Sequence, residues 1–196
     1  DSHFVGNNVT FFASSGDSGH GTMYPAASPH VMGVGGTSLA LGKDGNYSET
    51  AWTGSGGGLS SLEPEPGYQI AYPIPRNPHL KRAIPDVAYL GDPNTGVAVY
   101  NSIPFLGSAG WWEIGGTSAG SPQWAALVAI ANSLRAGLGK SPLTGRDGVL
   151  YDAAKDNLLD NFNDIVQGSR ATPGYDYSTG LGTPRAESLI PALRDK

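Results

Sequence analysis

The chain has 196 residues, 39% of them hydrophobic, a net charge of −5 and a sequence pI near 5.2. That length makes one large domain or part of one, with enough apolar content for a core. No basic run exceeds two residues, which argues against nucleic acid as a partner, and the lack of cysteine excludes a disulfide scaffold, a thiol nucleophile and a thiolate metal site.

Glycine and proline together make up about a fifth of the residues without a collagen-like period, so ordered turns and loops are expected to dominate. Val9–Ala13 reads as a buried strand running into the turn-rich Ser14-Ser15-Gly16-Asp17-Ser18-Gly19. Val31–Leu39 is a second strand with Gly-Gly inside it, followed by a turn at Lys43-Asp44-Gly45-Asn46. Ser55-Gly56-Gly57-Gly58 is a flexible or a close-packed loop. Residues 61–82 carry Pro64, Pro66, Pro73, Pro75 and Pro78 and read as an extended surface crossing. Pro85-Asp86-Val87-Ala88 opens another apolar stretch, and Thr95–Tyr100 with Trp111–Ile114 forms a hairpin pair that turns within Gly107–Gly110. The strongest helix follows Ser118 and ends near Gly137 or Gly139, a second runs from Arg146 to about Lys155, and the tail Ala186–Arg194 makes a short helix despite Pro191. Strands alternating with loops and a few helices predict an α/β sheet. The longest apolar run, Trp124–Ala131, is too short to span a bilayer, so no membrane partner is expected.

The most informative stretch is Gly115-Gly116-Thr117-Ser118-Ala119-Gly120-Ser121-Pro122, which opens the strongest helix. Small flanking residues let a substrate carbonyl approach a serine hydroxyl there. The helix N-terminus adds partial positive charge where an oxyanion would form. A nucleophile at Ser118 needs a proton acceptor and oxyanion donors. None of His3, His20, His30 and His79 has the setting of a triad histidine, and each reads as a surface or turn residue. A carboxylate base is the alternative, best suited to acidic pH.

Asp17 reads either as a turn carboxylate capping nearby amides or as a protonated acid donating to an oxyanion, a role that needs an acidic medium or a carboxyl held protonated. Gly16-Asp17-Ser18-Gly19 also matches the nucleophile motif of chymotrypsin-like proteases, but nothing else in the chain fits those cysteine-bearing barrels. Further on, Asp164 and Asp176 lie about a dozen residues apart with glycine and proline turns between them. They can fold around a hard cation such as calcium or act as two turn aspartates.

Together these residues resemble the sedolisin family of serine-carboxyl peptidases. The resemblance rests on Ala13-Ser14-Ser15-Gly16-Asp17-Ser18-Gly19, Tyr24-Pro25-Ala26-Ala27-Ser28-Pro29, Val34-Gly35-Gly36-Thr37-Ser38-Leu39, Glu49, Trp52, Ser55-Gly56-Gly57-Gly58-Leu59-Ser60, Pro85-Asp86-Val87-Ala88, Gly115–Ala119 with Pro122 and Trp124, Asp164-Ile165, and Gly174-Tyr175-Asp176 with Thr179-Gly180-Leu181-Gly182. It implies a subtilisin-like fold, a mostly parallel sheet with flanking helices, incomplete in this chain. It also implies acid-active cleavage of peptide or protein substrates, as an endopeptidase or tripeptidyl-peptidase, in a secreted or lysosomal setting. Ser118 would be the nucleophile and protonated Asp17 the oxyanion partner. One Ca2+ would be held by the side chains of Asp164 and Asp176 and the carbonyls of Ile165, Thr172 and Gly174, where Thr172 replaces the family's usual glycine. The family's base is a glutamate with an aspartate one helical turn later, both preceding the Asp17 loop. No such helical pair occurs here, so residues 1–196 are expected to be the C-terminal part of one catalytic domain. An N-terminal chain of the same processed enzyme would then carry the base. Two other readings stand beside this one: a non-catalytic binding module built on the same fold, and a fragment of a histidine-dependent subtilisin-like protease.

Overall fold

The computed structural model describes residues 1–5, 8–72, 74–144 and 148–196. In chain order the elements are β1 (Phe11–Ser14), β2 (Val31–Leu41), β3 (Tyr47–Ala51), β4 (Gly58–Pro64), α1 (Gly67–Ala71), β5 (Lys81–Ile84), β6 (Val87–Leu90), β7 (Val97–Phe105), β8 (Ser108–Ile114), α2 (Thr117–Gly137), α3 (Val149–Asn161), β9 (Phe162–Asn163), β10 (Thr183–Pro184) and α4 (Ala186–Asp195). The main sheet is organised on β2. β1 runs parallel to it with Phe11 opposite Val31, β6 runs parallel with Val34 opposite Val87, and β3 returns antiparallel along Thr37–Leu41.

α2 packs on β1, β2 and β6 and is covered in turn by α4, which also meets α3. Its buried positions Thr117, Gly120, Trp124, Leu127, Val128, Ala131 and Arg135 recur every three or four residues, the stripe of a helix with one face on a sheet. Trp124 is the centre of the core. Its ring stacks 6.4 Å from both Phe12 and Phe162, and its indole N–H donates to the Ala88 carbonyl at 2.8 Å.

Three expectations need correction. Residues 61–82 are more than a surface crossing. β4 pairs antiparallel with β5, and α1 between them buries Tyr68 and Gln69. The Gln69 amide reproduces a strand pairing, donating to the Ala83 carbonyl (2.8 Å) and accepting from its N–H (3.0 Å). The β7–β8 turn sits at Leu106-Gly107, with Phe105 opposite Ser108, so the strands run further than their aromatic content suggested. α3 extends past Lys155 to Asn161, while its expected start at Arg146, like Pro73, lies outside the described residues. The Ser55–Gly58 loop takes the close-packed alternative, with Ser55, Gly56 and Gly57 buried.

One buried carboxylate joins four elements, β2, β5, α1 and α3. Asp86, between β5 and β6, accepts from both guanidinium ends of Arg82 at 2.7 and 2.5 Å. It also accepts from the Gly33 N–H of β2 at 2.6 Å and the Tyr151 hydroxyl of α3 at 2.6 Å. Arg82 and Asp86 are both fully buried. Burial opposes the Arg82 charge, but the Asp86 carboxylate and the neighbouring Tyr68 and Tyr151 rings outweigh it and hold the guanidinium well above its ordinary range.

Candidate active site

The parallel strands point their carboxyl ends at one region, where α/β sheets commonly carry their chemistry. The loop leaving β1 enters that region and is pinned there by backbone bonds. Ser15 N–H donates to Val34 (2.9 Å), Gly56 N–H to Gly16 (2.7 Å) and Gly19 N–H to Gly54 (2.8 Å). The start of α2 arrives opposite. Asp17 and Ser118, remote in sequence, are both exposed there and face each other.

Gly116 forms the floor between them. Its φ is +102°, a conformation that side chains rarely adopt. A Cβ at that position would stand 2.9 Å from Asp17 Oδ2 and 3.1 Å from Ser118 Oγ. Both oxygens therefore overlook the same small volume, and any larger residue would fill it.

Thr117 fixes the other side of the aspartate. Its N–H and its hydroxyl both donate to Asp17 Oδ1, at 2.8 and 2.7 Å, and Gly16 N–H donates back to Thr117 Oγ1 at 3.1 Å. With Oδ1 committed as an acceptor from two donors, a proton on this carboxyl belongs on Oδ2, the oxygen facing Ser118. The sequence reading passed over Thr117, although it lies inside the Gly-Gly-Thr-Ser motif. Its fully buried side chain and its tie to residue 17 are tertiary facts that spacing does not show. At the first turn of a helix the Ser118 N–H has no intrahelical acceptor, so it is free to face an anion. Among the described residues no hydrogen bond engages Ser118 Oγ, and no histidine or carboxylate acts on it as a base.

The second constellation folds as one unit. Asp164 accepts from Gly174 N–H at 2.9 and 3.1 Å with its two oxygens. Asp176 accepts from Thr172 N–H (3.3 Å), Ser178 N–H (2.7 Å), Thr179 N–H (2.8 Å) and the Thr179 hydroxyl (3.0 Å). The two carboxylates thus hold the backbone of Thr172 and Gly174, whose carbonyls, with that of the buried Ile165, are the remaining expected ligands. Burial pushes the Asp176 carboxyl above its ordinary value despite these donors. A donor set of oxygens only, with a carboxylate whose charge is penalised by burial, fits a hard cation such as calcium. Amide hydrogens occupy part of that role in this structure.

A partly parallel α/β sheet that sets a helix-borne serine against a loop-borne carboxyl defines a subtilisin-like hydrolase fold. No family model matches the chain. Among curated relatives, kumamolisin from Bacillus sp. (strain MN-32) is 36% identical over 210 residues, covering 94% of this chain and 36% of kumamolisin. Tripeptidyl-peptidase 1 of Canis lupus familiaris is 33% identical over 218 residues, covering 94% of this chain and 37% of that protein. Among solved structures, Pseudomonas sedolisin, a serine-carboxyl proteinase complexed with two molecules of pseudo-iodotyrostatin, matches with a TM-score of 0.77 and 28% identity over 95% of this chain and 56% of that one. Sphericase, at 22% identity and a TM-score of 0.53 over 91% of this chain and 48% of that one, shares the fold. The chain belongs to the sedolisin family of serine-carboxyl peptidases, and it spans a little over a third of the length of the curated relatives it matches.

Proposed function

We propose that this chain is the nucleophile-bearing, C-terminal part of an acid-active serine-carboxyl peptidase. The observation that carries the reading is the convergence of Asp17 Oδ2 and Ser118 Oγ over Gly116, with Asp17 Oδ1 held by Thr117. Ser118 Oγ attacks the scissile carbonyl of a peptide or protein substrate. The developing oxyanion takes a hydrogen bond from protonated Asp17 Oδ2 and one from the Ser118 N–H. The proton leaving Ser118 goes to a carboxylate base on a segment or partner chain outside these residues, a glutamate seconded by an aspartate. Cleavage of a precursor accounts for two associated chains in a secreted or lysosomal enzyme.

Activity of the whole protein against a peptide library, followed from acid to alkaline pH, tests this. A maximum on the acid side is expected, because Asp17 must keep its proton to donate. A maximum above neutral pH would instead support the histidine-dependent reading, and no cleavage at any pH the binding-module reading.

The residues that would hold calcium are Asp164 and Asp176 by carboxylate and Ile165, Thr172 and Gly174 by carbonyl. The ion supplies charge compensation for a buried carboxylate and ties the segment before β10 together. A cation that binds only the folded form stabilises it by about 2.7 kcal/mol at a hundredfold excess over its Kd. Excess chelator is therefore expected to lower the melting temperature, and added calcium to restore it. An unchanged melting curve, with the metal shown to be removed, would discard the site.

A further inference from the structure

The Asp17 loop is held by two separate sets of contacts. Thr117 holds the carboxyl, and the stretch 54–56 holds the backbone on either side of it. Gly56 N–H donates to the Gly16 carbonyl at 2.7 Å and Gly19 N–H to the Gly54 carbonyl at 2.8 Å, so Asp17 lies between two anchors on one strip of chain. The two backbones touch there. A Cβ on Gly56 would stand 2.5 Å from the Ser15 carbonyl oxygen, and one on Gly19 would stand 2.7 Å from that of Thr53. With backbone packed directly on backbone, a displacement of 54–56 carries Asp17 with it.

What fixes 54–56 comes from a third segment. Ser55 is fully buried, and its hydroxyl donates to the Ser178 carbonyl at 2.7 Å while accepting from the Gly36 N–H of β2 at 2.9 Å. Arg170 grips the same turn by its carbonyls, donating to Ser55 at 2.9 Å and to Gly57 at 3.2 Å. Both ties lead to residues 170–178. Among the described residues neither side chain bonds Asp17 or Ser118, so any influence on them passes through the turn. Gly16, Gly36, Ser55, Gly56 and Ser178 are all buried within this chain. The linkage is therefore set by the fold and not by whatever covers the surface.

We propose that Ser55 and Arg170 are positioning residues for Asp17, placing its Oδ2 against the developing oxyanion independently of Thr117; the inference rests on the oxyanion role proposed for Asp17. Ser55 works as a crossbar. Its hydroxyl ties β2 to the 170–178 segment, and the peptide N–H that follows it fixes Gly16. Without that hydroxyl the buried Gly36 N–H loses its acceptor and the buried Ser178 carbonyl its donor, so the turn shifts to satisfy them. Arg170 holds the turn from outside, by two carbonyls that face away from Asp17's anchors. A misplacement of about 1 Å at a reacting centre can cost about 10²-fold in rate, so a shift of a fraction of that is readable in kcat.

The test is peptide-cleavage kinetics and thermal melting of the full-length enzyme carrying Ser55→Ala, Arg170→Met, Asp17→Ala, or either of the first two combined with Asp17→Ala. Ser55→Ala is expected to lower kcat about tenfold and Arg170→Met about threefold, each with KM within about twofold of wild type. Neither is expected to slow Asp17→Ala further, because a positioning residue has nothing to place once its target is gone. A residue that only supported the fold would lower the melting temperature and leave the rate per folded molecule unchanged. Arg170 is exposed, so Arg170→Met decides the matter where Ser55→Ala does not fold. A wild-type kcat in either folded variant overturns the proposal, as does a loss confined to KM or one that multiplies with that of Asp17→Ala. With Asp17→Ala itself slow, those results leave the serine-carboxyl reading standing. Asp17→Ala at the wild-type rate would remove that reading, and this inference with it.

Discussion

Asp86→Ala is expected to cost about 3–5 kcal/mol of folding stability, because it leaves the fully buried Arg82 guanidinium without its anion. The loss reaches further than one ion pair. Gly33 N–H and the Tyr151 hydroxyl lose their acceptor as well, so β2, β5, α1 and α3 are all affected. For a chain of this size the change corresponds to a fall in melting temperature of roughly 6–20 °C. It is a large share of the 5–15 kcal/mol that typically holds a domain together. Adding Arg82→Met to Asp86→Ala is expected to recover part of the loss, since the penalty is the unpaired buried charge more than the missing attraction. Thermal melts of the two variants and wild type give the answer. A melting temperature for Asp86→Ala within a degree or two of wild type would show that the network contributes little. A double variant worse than the single would show that Arg82 matters through its packing.

What the sequence revealed depended on whether the signal was local. β1, β2, α2 and α4 were legible because an apolar run or a three-to-four spacing marks an element that buries one face on a sheet. Ser118 was legible because small residues before a helix form a compact local pattern. The pairing of Arg82 with Asp86 was not. Both residues look like ordinary members of a surface-crossing segment and a short motif, and only the fold removes water from around them. α1 was hidden for a related reason, since its five residues sit among prolines and owe their order to Gln69 bonding Ala83 and Tyr151. Thr117 lay in plain view beside Ser118, yet its partner is a hundred positions away in the loop after β1. The Asp164–Asp176 segment was legible as a set of oxygen donors, while the burial that raises Asp176 was not.

Ser118→Ala in the assembled enzyme is expected to lower kcat on the order of 10^6-fold while leaving the melting temperature close to wild type, because the hydroxyl is exposed and makes no bond that the fold uses. Asp17→Ala is expected to cost about 2.7–4 kcal/mol in kcat, the scale of one lost oxyanion donor. Asp17→Asn retains a donor and should keep part of the rate, with a flatter dependence on pH. Thr117→Val acts one step back. It removes one of two donors to Asp17 Oδ1 and strands Gly16 N–H, so a loss of about 0.5–1.5 kcal/mol in kcat is expected with KM nearly unchanged. Thr117→Ser should restore the rate. Adding Thr117→Val to Asp17→Ala should cost nothing more, since a positioning residue has no effect once its target is gone. Single-turnover rates on one peptide substrate measure the whole series. Survival of activity in Ser118→Ala would remove the nucleophile assignment altogether. An additive double variant would instead leave Ser118 in place and show that Thr117 acts on something other than the aspartate.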